Sequence, residues 1–316
     1  MRVAAISGGK LHSEERPDPV PGEGQILIRV RASGINGADL AQRAGRYPPP
    51  RDAPQDVPGL ECAGEVEAAG PNAFRFAVGD RVMALLAGGG HAELAVVHER
   101  LALPVPEAVG WAEAGGFVEV YATAHDALFT QGGLAPGERL LVNGAAGGVG
   151  LAAVQLGVSA GARVTANARH SHERLRELGA DTEVEGPYDV ILELVGGELL
   201  QRDLDLLGTG GRLVVIGVSG GGARAEVDFG TLMRIRGRIQ ASTLRARPLE
   251  EKGLVVRRLE RHVLPLLAAS RVTVQVDRTF PLADAEAAYD SFAAGGKFGK
   301  LVLSMEPPGT IGAGIP

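Results

Sequence analysis

The sequence predicts an α/β chain in which a β-rich half is followed by a doubly wound parallel sheet. Two patterns and one motif carry this. Residues 1 to about 110 hold short apolar runs separated by turn signals roughly every ten residues, the spacing of a barrel or sandwich. From about Trp111, strand-like and helix-like runs alternate, as in a Rossmann-type sheet. Within that second half, Leu140–Leu156 reads as a buried strand, a glycine-rich turn and a helix in succession.

The elements follow in order. Residues 1–6 make a first strand. Residues 25–33 make a second, after the turn cluster Pro21-Gly22-Glu23-Gly24. Residues 61–69, 81–86 and 91–97 are further strands, set apart by Gly70-Pro71-Asn72, Val78-Gly79-Asp80 and Gly88-Gly89-Gly90. A short helix over 38–45 ends at Gly45 and the Pro48-Pro49-Pro50 run. The second half reads as helix 112–131, strand 139–143, helix 149–160, strand 162–167 and helix 171–179. A short strand at 182–184, strand 189–195, helix 198–207, strand 212–217 and strand 238–244 complete it. The run Leu213-Val-Val-Ile216 is apolar throughout, as a sheet covered on both faces requires. The last segment reads as helix 249–269, strand 272–276, helix 282–294 and strand 300–304, before a tail rich in Pro and Gly. The expected domains are a β-barrel over 1–112, a nucleotide domain over 113–248, a return to the first domain over 249–304, and the tail 305–316.

The glycine loop carries the chemistry. Ala145-x-Gly147-x-x-Gly150 is the dinucleotide fingerprint with alanine at its first glycine. A side chain at Gly147 would hold a pyrophosphate off the backbone, and Gly150 lets helix and strand pack closely. Gly148 belongs to the loop and Val149 and Gly150 lead into the helix read over 149–160, whose N-terminus offers unpaired N–H groups and partial positive charge. A flexible glycine loop is the plain alternative in a chain with 46 glycines. The alanine at 145 is tolerated if its φ stays negative.

Composition narrows the function. The net charge is −6, so no basic field exists to collect nucleic-acid phosphates. The one cysteine, Cys62, excludes an internal disulfide and a cysteine-cluster metal site, and reads as a small buried hydrophobe. No stretch is apolar enough to span a membrane, and a soluble cytoplasmic protein is expected.

The chain resembles the zinc-free quinone oxidoreductase (zeta-crystallin-like) branch of the medium-chain dehydrogenase/reductase superfamily. The resemblance rests on Ala32-Ser-Gly-Ile-Asn-Gly-Ala-Asp39, Gly45-Arg-Tyr-Pro-Pro-Pro50, Pro58-Gly-Leu-Glu-Cys-Ala-Gly64, Val78-Gly-Asp-Arg-Val82, the loop at 144–150 and Gly299-Lys-Leu-Val-Leu303. It implies a chaperonin-10-like barrel, a nucleotide domain, and a cleft between them for nicotinamide and substrate. Zinc-dependent relatives have a cysteine where Asn36 stands and a histidine where Leu60 stands. Leu60 has no lone pair and Asn36 is a poor zinc ligand, so no metal is expected. Without a Lewis acid, hydride transfer to an already electrophilic acceptor remains easy. A quinone fits, and an enone or enoyl substrate is the alternative. An NADPH-binding structural protein is the non-enzyme alternative.

The resemblance also implies site residues. Asn36 would donate to the acceptor oxygen, or serve as a turn residue before Gly37. Tyr47 would bind that oxygen or deliver a proton, or pack on the Pro48–Pro50 run. Asp39 is expected to cap the short helix. Thr123 would lie beside the nicotinamide ribose, or be a plain helix residue. Backbone groups at Gly217 and around Ser242 and Leu244 would meet the carboxamide. Lys300 would reach the cofactor or cap its strand. No carboxylate stands at the end of strand 163–167 to accept from a ribose 2′-OH. Arg169 offers a fork for a 2′-phosphate instead, so NADPH is the expected cofactor. The resemblance further implies a homodimer built by pairing the last strand of the nucleotide domain.

Overall fold

The computed structural model describes residues 1–218 and 222–305. The tail at 306–316 lies outside the described residues. The chain divides into two compact units. Unit 1 comprises Met1–Glu119, Arg245–Ala268 and the chain from Thr273 onward; unit 2 comprises Val120–Leu244 and Ala269–Val272.

Unit 1 opens with a hairpin of β1 (Arg2–Ser7) and β2 (Lys10–Glu15), turned at Gly8 and Gly9. The sequence reading missed β2 because its residues, Lys-Leu-His-Ser-Glu-Glu, are mostly polar and exposed. β3 (Gln25–Gly34), β4 (Glu61–Ala69), β5 (Arg81–Leu85), β6 (Leu94–His98) and β7 (Ala102–Pro104) follow. β3 is the centre of this sheet. Ile26, Ile28 and Val30 are at most 2% exposed, and each such burial is worth about 1.5–3 kcal/mol.

Unit 2 is an all-parallel five-stranded sheet. Its strands are β8 (Arg139–Asn143), β9 (Arg163–Asn167), β10 (Tyr188–Glu193), β11 (Leu207–Val215) and β12 (Arg238–Ala241), in the order β12-β11-β10-β8-β9. The expected strand at 182–184 does not form; Asp181 makes a single bridge to Thr165 instead. β11 starts earlier than expected. Leu207 pairs with Tyr188 and Arg212 with Val190, so the glycine-rich stretch between them is absorbed as a bulge. The expected helix over 112–131 is broken at Gly116 into Trp111–Gly115 and Val118–His125, then continues as a π-helical turn, Asp126–Gln131. The helix Phe229–Ile235, absent from the sequence reading, sits between β11 and β12 and packs Ile235 into the core formed with Leu141, Ile191 and Leu213.

The chain then returns to unit 1. Helix 249–269 is two helices, Leu249–His262 and Leu264–Ala268, parted at Val263 before Pro265. β13 runs over Val276–Pro281 rather than 272–276, and pairs with β14 (Lys300–Ser304). The unit 1 sheet is ordered β13-β14-β3-β4-β5-β7, with β6 also on β3. Among the described residues, no helix is long and apolar enough to cross a membrane.

The glycine loop supplies a test of this packing. A Cβ at Gly150 would meet Gly144 O at 2.4 Å and Ala145 Cα at 2.6 Å, whereas one at Gly147 meets only Gly144 O at 3.4 Å. Gly150→Ala is therefore expected to lower stability by about 1–3 kcal/mol, and Gly147→Ala to leave it within about 0.5 kcal/mol. Urea unfolding of the two variants beside the parent checks the contrast.

Candidate active site and cofactor loop

In unit 1 the candidate site grows from the end of β3. After Gly34 the chain turns into the helix Gly37–Arg43, with Asn36 extended at its N-cap (φ −121°, ψ 156°). Asp39 ties this turn down. Its carboxyl accepts from Asn36 N at 2.8 Å and from Gly59 N at 3.0 Å. Asp39 is fully buried. Burial pushes its carboxyl up to about 6, against the pull of those two N–H groups and the charges of Lys300 and Arg245.

Beside this turn Lys300, the first residue of β14, meets Glu61, the first residue of β4. Lys300 Nζ donates to Glu61 Oε1 at 2.7 Å, to Asn36 Oδ1 at 2.7 Å and to Ile35 O at 3.0 Å. All three ammonium protons are thus used inside the unit. Asn36 Nδ2 donates to Glu61 Oε1 at 3.0 Å and to Gly34 O at 3.3 Å. Glu61 and Lys300 are buried at 0% and 3% exposure. Gly34 makes room for them: a Cβ there would lie 2.5 Å from Glu61 Oε1 and 2.9 Å from Lys300 Cε.

Glu119, in the helix Val118–His125, completes the set. Its N–H donates to Glu61 Oε2 at 3.0 Å. No other described residue hydrogen-bonds or ion-pairs its carboxyl. Burial pushes that carboxyl up to about 8, helped by the charges of Glu61 and Asp39 and opposed by those of Lys300 and Arg245. It is a neutral acid at pH 7. Tyr47 is half-buried, its ring 5.3 Å from the Arg245 guanidinium. Arg245 in turn donates to Gln42 Oε1 at 2.6 Å, Ala87 O at 2.8 Å and Tyr47 O at 3.3 Å.

Asn36 and Lys300 therefore stand together, with Tyr47 held by the Arg245 that also acts on Asp39 and Glu119. Asn36 has its amide protons and oxygen committed to internal partners, which the sequence reading as a donor to substrate did not foresee. Lys300 has no proton left for a cofactor phosphate. Sequence reasoning assigned no role to Glu61, Glu119 or Arg245. A signal existed for Glu61: a carboxylate between Leu60 and Cys62 in an apolar run must find a cation when buried. Leu60 and Cys62 are themselves buried, and burial pushes the Cys62 thiol up to about 12.

In unit 2 the loop after β8 is set by Gly144, whose φ is +74°. The left-handed position thus falls one residue before Ala145, which keeps an ordinary backbone and is fully buried. Gly144 N and Ala145 N donate to Asn167 O at 3.0 and 3.1 Å, fastening the loop to the end of β9. Gly147 caps the helix Gly148–Ser159 at φ −81°. Neither its φ nor its packing demands glycine. The space in front of its backbone is open apart from Gly144 O, 3.4 Å from where a Cβ would stand. Arg169, just past β9, is exposed and has no ion-pair or hydrogen-bond partner among the described residues. Gly217 N donates to Glu193 O at 3.3 Å, and a Cβ there would meet Leu194 O at 2.7 Å. Ser242 N is bonded to Val215 O at 3.2 Å, Leu244 is buried, and Thr123 is half-buried.

Residues 22–130 match the alcohol dehydrogenase GroES-like domain, and residues 161–303 match the zinc-binding dehydrogenase family. The mouse quinone oxidoreductase is 31% identical over 314 residues, covering 91% of each protein. The chain belongs to the medium-chain dehydrogenase/reductase superfamily. Erythronolide synthase EryA2 of Saccharopolyspora erythraea is 34% identical over 311 residues, 91% of this chain. The chain spans only 8% of that synthase's length. A mycobacterial protein solved in complex with NADPH superposes with a TM-score of 0.84 at 26% identity, covering 96% of this chain and 100% of that one. Members of this superfamily bind a nicotinamide cofactor. Among the described residues no group of three His, Cys, Asp or Glu is placed to hold a metal ion.

The buried ion pair is open to a double-mutant cycle. Lys300→Met is expected to cost about 3–5 kcal/mol by stranding Glu61. Lys300→Met with Glu61→Gln should cost less than Lys300→Met alone. Chemical denaturation of Lys300→Met, Glu61→Gln and the double variant measures the coupling.

Proposed function

We propose that the protein is an NADPH-dependent, metal-free reductase of quinones. The observation that carries this reading is the Lys300–Asn36–Glu61 cluster. Where zinc-dependent relatives have their ligands, this chain has Leu60, which has no donor, and Asn36, whose oxygen faces the Lys300 ammonium at 2.7 Å. A cation already stands there, and a second would be repelled. An acceptor that needs no Lewis acid suits such a site, because a quinone accepts hydride into a delocalised ring.

NADPH fits unit 2. The N–H groups of Gly148, Val149 and Gly150 would take the pyrophosphate, and Arg169 the 2′-phosphate, where a carboxylate would repel it. When bound, NADPH supplies the hydride. Thr123 and the backbone at Gly217, Ser242 and Leu244 would hold the nicotinamide end. Lys300 serves as a positioning residue that fixes Asn36 and Glu61. Tyr47 and Glu119 are the proton donors of unit 1.

An enone or enoyl reductase is the second reading. Glu119 favours it, since such a reduction needs a proton delivered to carbon and a neutral carboxyl can give one. The similarity to a polyketide synthase points the same way. We also propose a homodimer. β12 is exposed at every position, with Ile239 37% exposed, and among the described residues its one sheet partner is β11, an edge that a second copy would cover.

Steady-state NADPH oxidation with ortho- and para-quinones, beside enoyl thioesters, tests the assignment; turnover of thioesters but not quinones would select the second reading. Arg169→Ala is expected to weaken NADPH about tenfold or more and to leave NADH within about twofold, read by fluorescence titration. If Glu119 delivers the proton, kcat falls as pH rises through about 8, because its carboxyl stays protonated below that point. Glu119→Gln should abolish that limb, and an unchanged profile would remove Glu119 from the mechanism.

A further inference from the structure

A second set of buried carboxyls stands at the carboxyl edge of the unit 2 sheet, behind the glycine loop and with no role assigned so far. Glu193 ends β10, Asp203 lies in the helix Leu200–Leu206, and Asn143 ends β8. All three are at 0% exposure. Asn143 Nδ2 donates to Glu193 Oε2 at 2.7 Å and to the two Asp203 oxygens at 2.9 and 3.0 Å. Glu193 Oε1 accepts from Val195 N, and from Gly196 N at 2.8 Å. Asn143 Oδ1 accepts from Asn167 Nδ2 at 2.7 Å. The carbonyl of that same Asn167 holds Gly144 N and Ala145 N.

The proton count of this cluster is set by its partners. Two carboxyls that share one amide donor, fully buried, cannot both be ionised without a cation between them. The charged groups acting on Asp203 are Glu193 from β10 and Arg202 of its own helix. β8 and β9 contribute the neutral amides of Asn143 and Asn167, and β11 and the helix Phe229–Ile235 contribute Leu213 and Ile235 to the core there. Glu193 receives two backbone N–H groups and an amide, whereas Asp203 receives the amide alone. Asp203 is the acid. Burial pushes Asp203 up to about 8, reinforced by its hydrogen bond to Glu193 and countered by Asn143.

We propose that Asp203 and Glu193, sharing one proton, are positioning residues for the glycine-rich cofactor loop, acting through Asn143 and Asn167, and that loss of this proton loosens the loop. The inference rests on reading that loop as the cofactor site. Ionised Asp203 would face ionised Glu193 across one amide. Either Asn143 or the backbone at Val195–Gly196 must then move. Asn143 is the residue immediately before Gly144, and its partner Asn167 is the anchor of the loop, so the displacement reaches the phosphate cradle directly.

Equilibrium binding of NADPH to the full chain between pH 7 and 9.5 tests this. That window lies above the second ionisation of a phosphate monoester, near 6, and above the ordinary histidine range. The parent is expected to bind at least about fivefold more weakly at pH 9.5 than at pH 7. Asp203→Asn keeps a donor toward Glu193 and an acceptor toward Asn143 but has no proton to lose. Its Kd should change less than about twofold over the same span. Glu193→Gln, which also removes the second charge, should flatten the curve and stands in if the first variant does not fold. A merely structural pair would alter thermal stability and leave the slope in place. A flat parent curve with intact binding at pH 7, or a variant with the parent's slope, overturns the inference alone. No binding of NADPH at pH 7 overturns the cofactor reading and this inference with it.

Discussion

One buried ammonium organises the unit 1 site. Lys300 arrives at the start of β14, far along the chain from its partners, and is held by Glu61, Asn36 and Ile35 O. Isolated burial of either charge would cost several kcal/mol, so each requires the other. The pair therefore fixes the relative position of three segments: the turn after β3, the start of β4 and the start of β14. The Glu61 carboxylate also anchors the N–H of Glu119. The same charge that neutralises the lysine thus also holds the backbone of Glu119.

This arrangement leaves one carboxyl without a cation. Lys300 is spent on Glu61, and Arg245 donates to Gln42, Ala87 and Tyr47. Burial consequently pushes Glu119 up to about 8, whereas at Asp39 two backbone N–H groups and the charges of Lys300 and Arg245 oppose the same push, which reaches only about 6. The same logic recurs in unit 2, where Glu193 takes the N–H donors and Asp203 takes the proton. In each unit, the distribution of a few hydrogen-bond donors decides which carboxyl is an acid.

Much of the fold was legible in the sequence because burial on two faces writes continuous apolar runs. β8, β9 and β10 and the helix after the glycine loop are of that kind. Elements with polar or exposed residues were not legible. β2 shows one buried position in six, and the helix Phe229–Ile235 is mostly exposed. The break at Gly116 was hidden inside an apolar stretch that looked like one long helix.

By itself the sequence determined the loop. Gly150 must admit the strand, and the end of β9 lacks a carboxylate and is followed by Arg169. These are local facts of backbone and charge, fixed within a few residues. It also determined that Leu60 offers no metal donor. Only the tertiary structure decided what Asn36 and Lys300 do, since their partner Glu61 is remote in sequence and a side chain's spare hydrogen bonds are not visible until its neighbours are placed. The same holds for the protons on Glu119 and Asp203. A carboxyl's charge state is a property of what surrounds it, and the surroundings are assembled by folding.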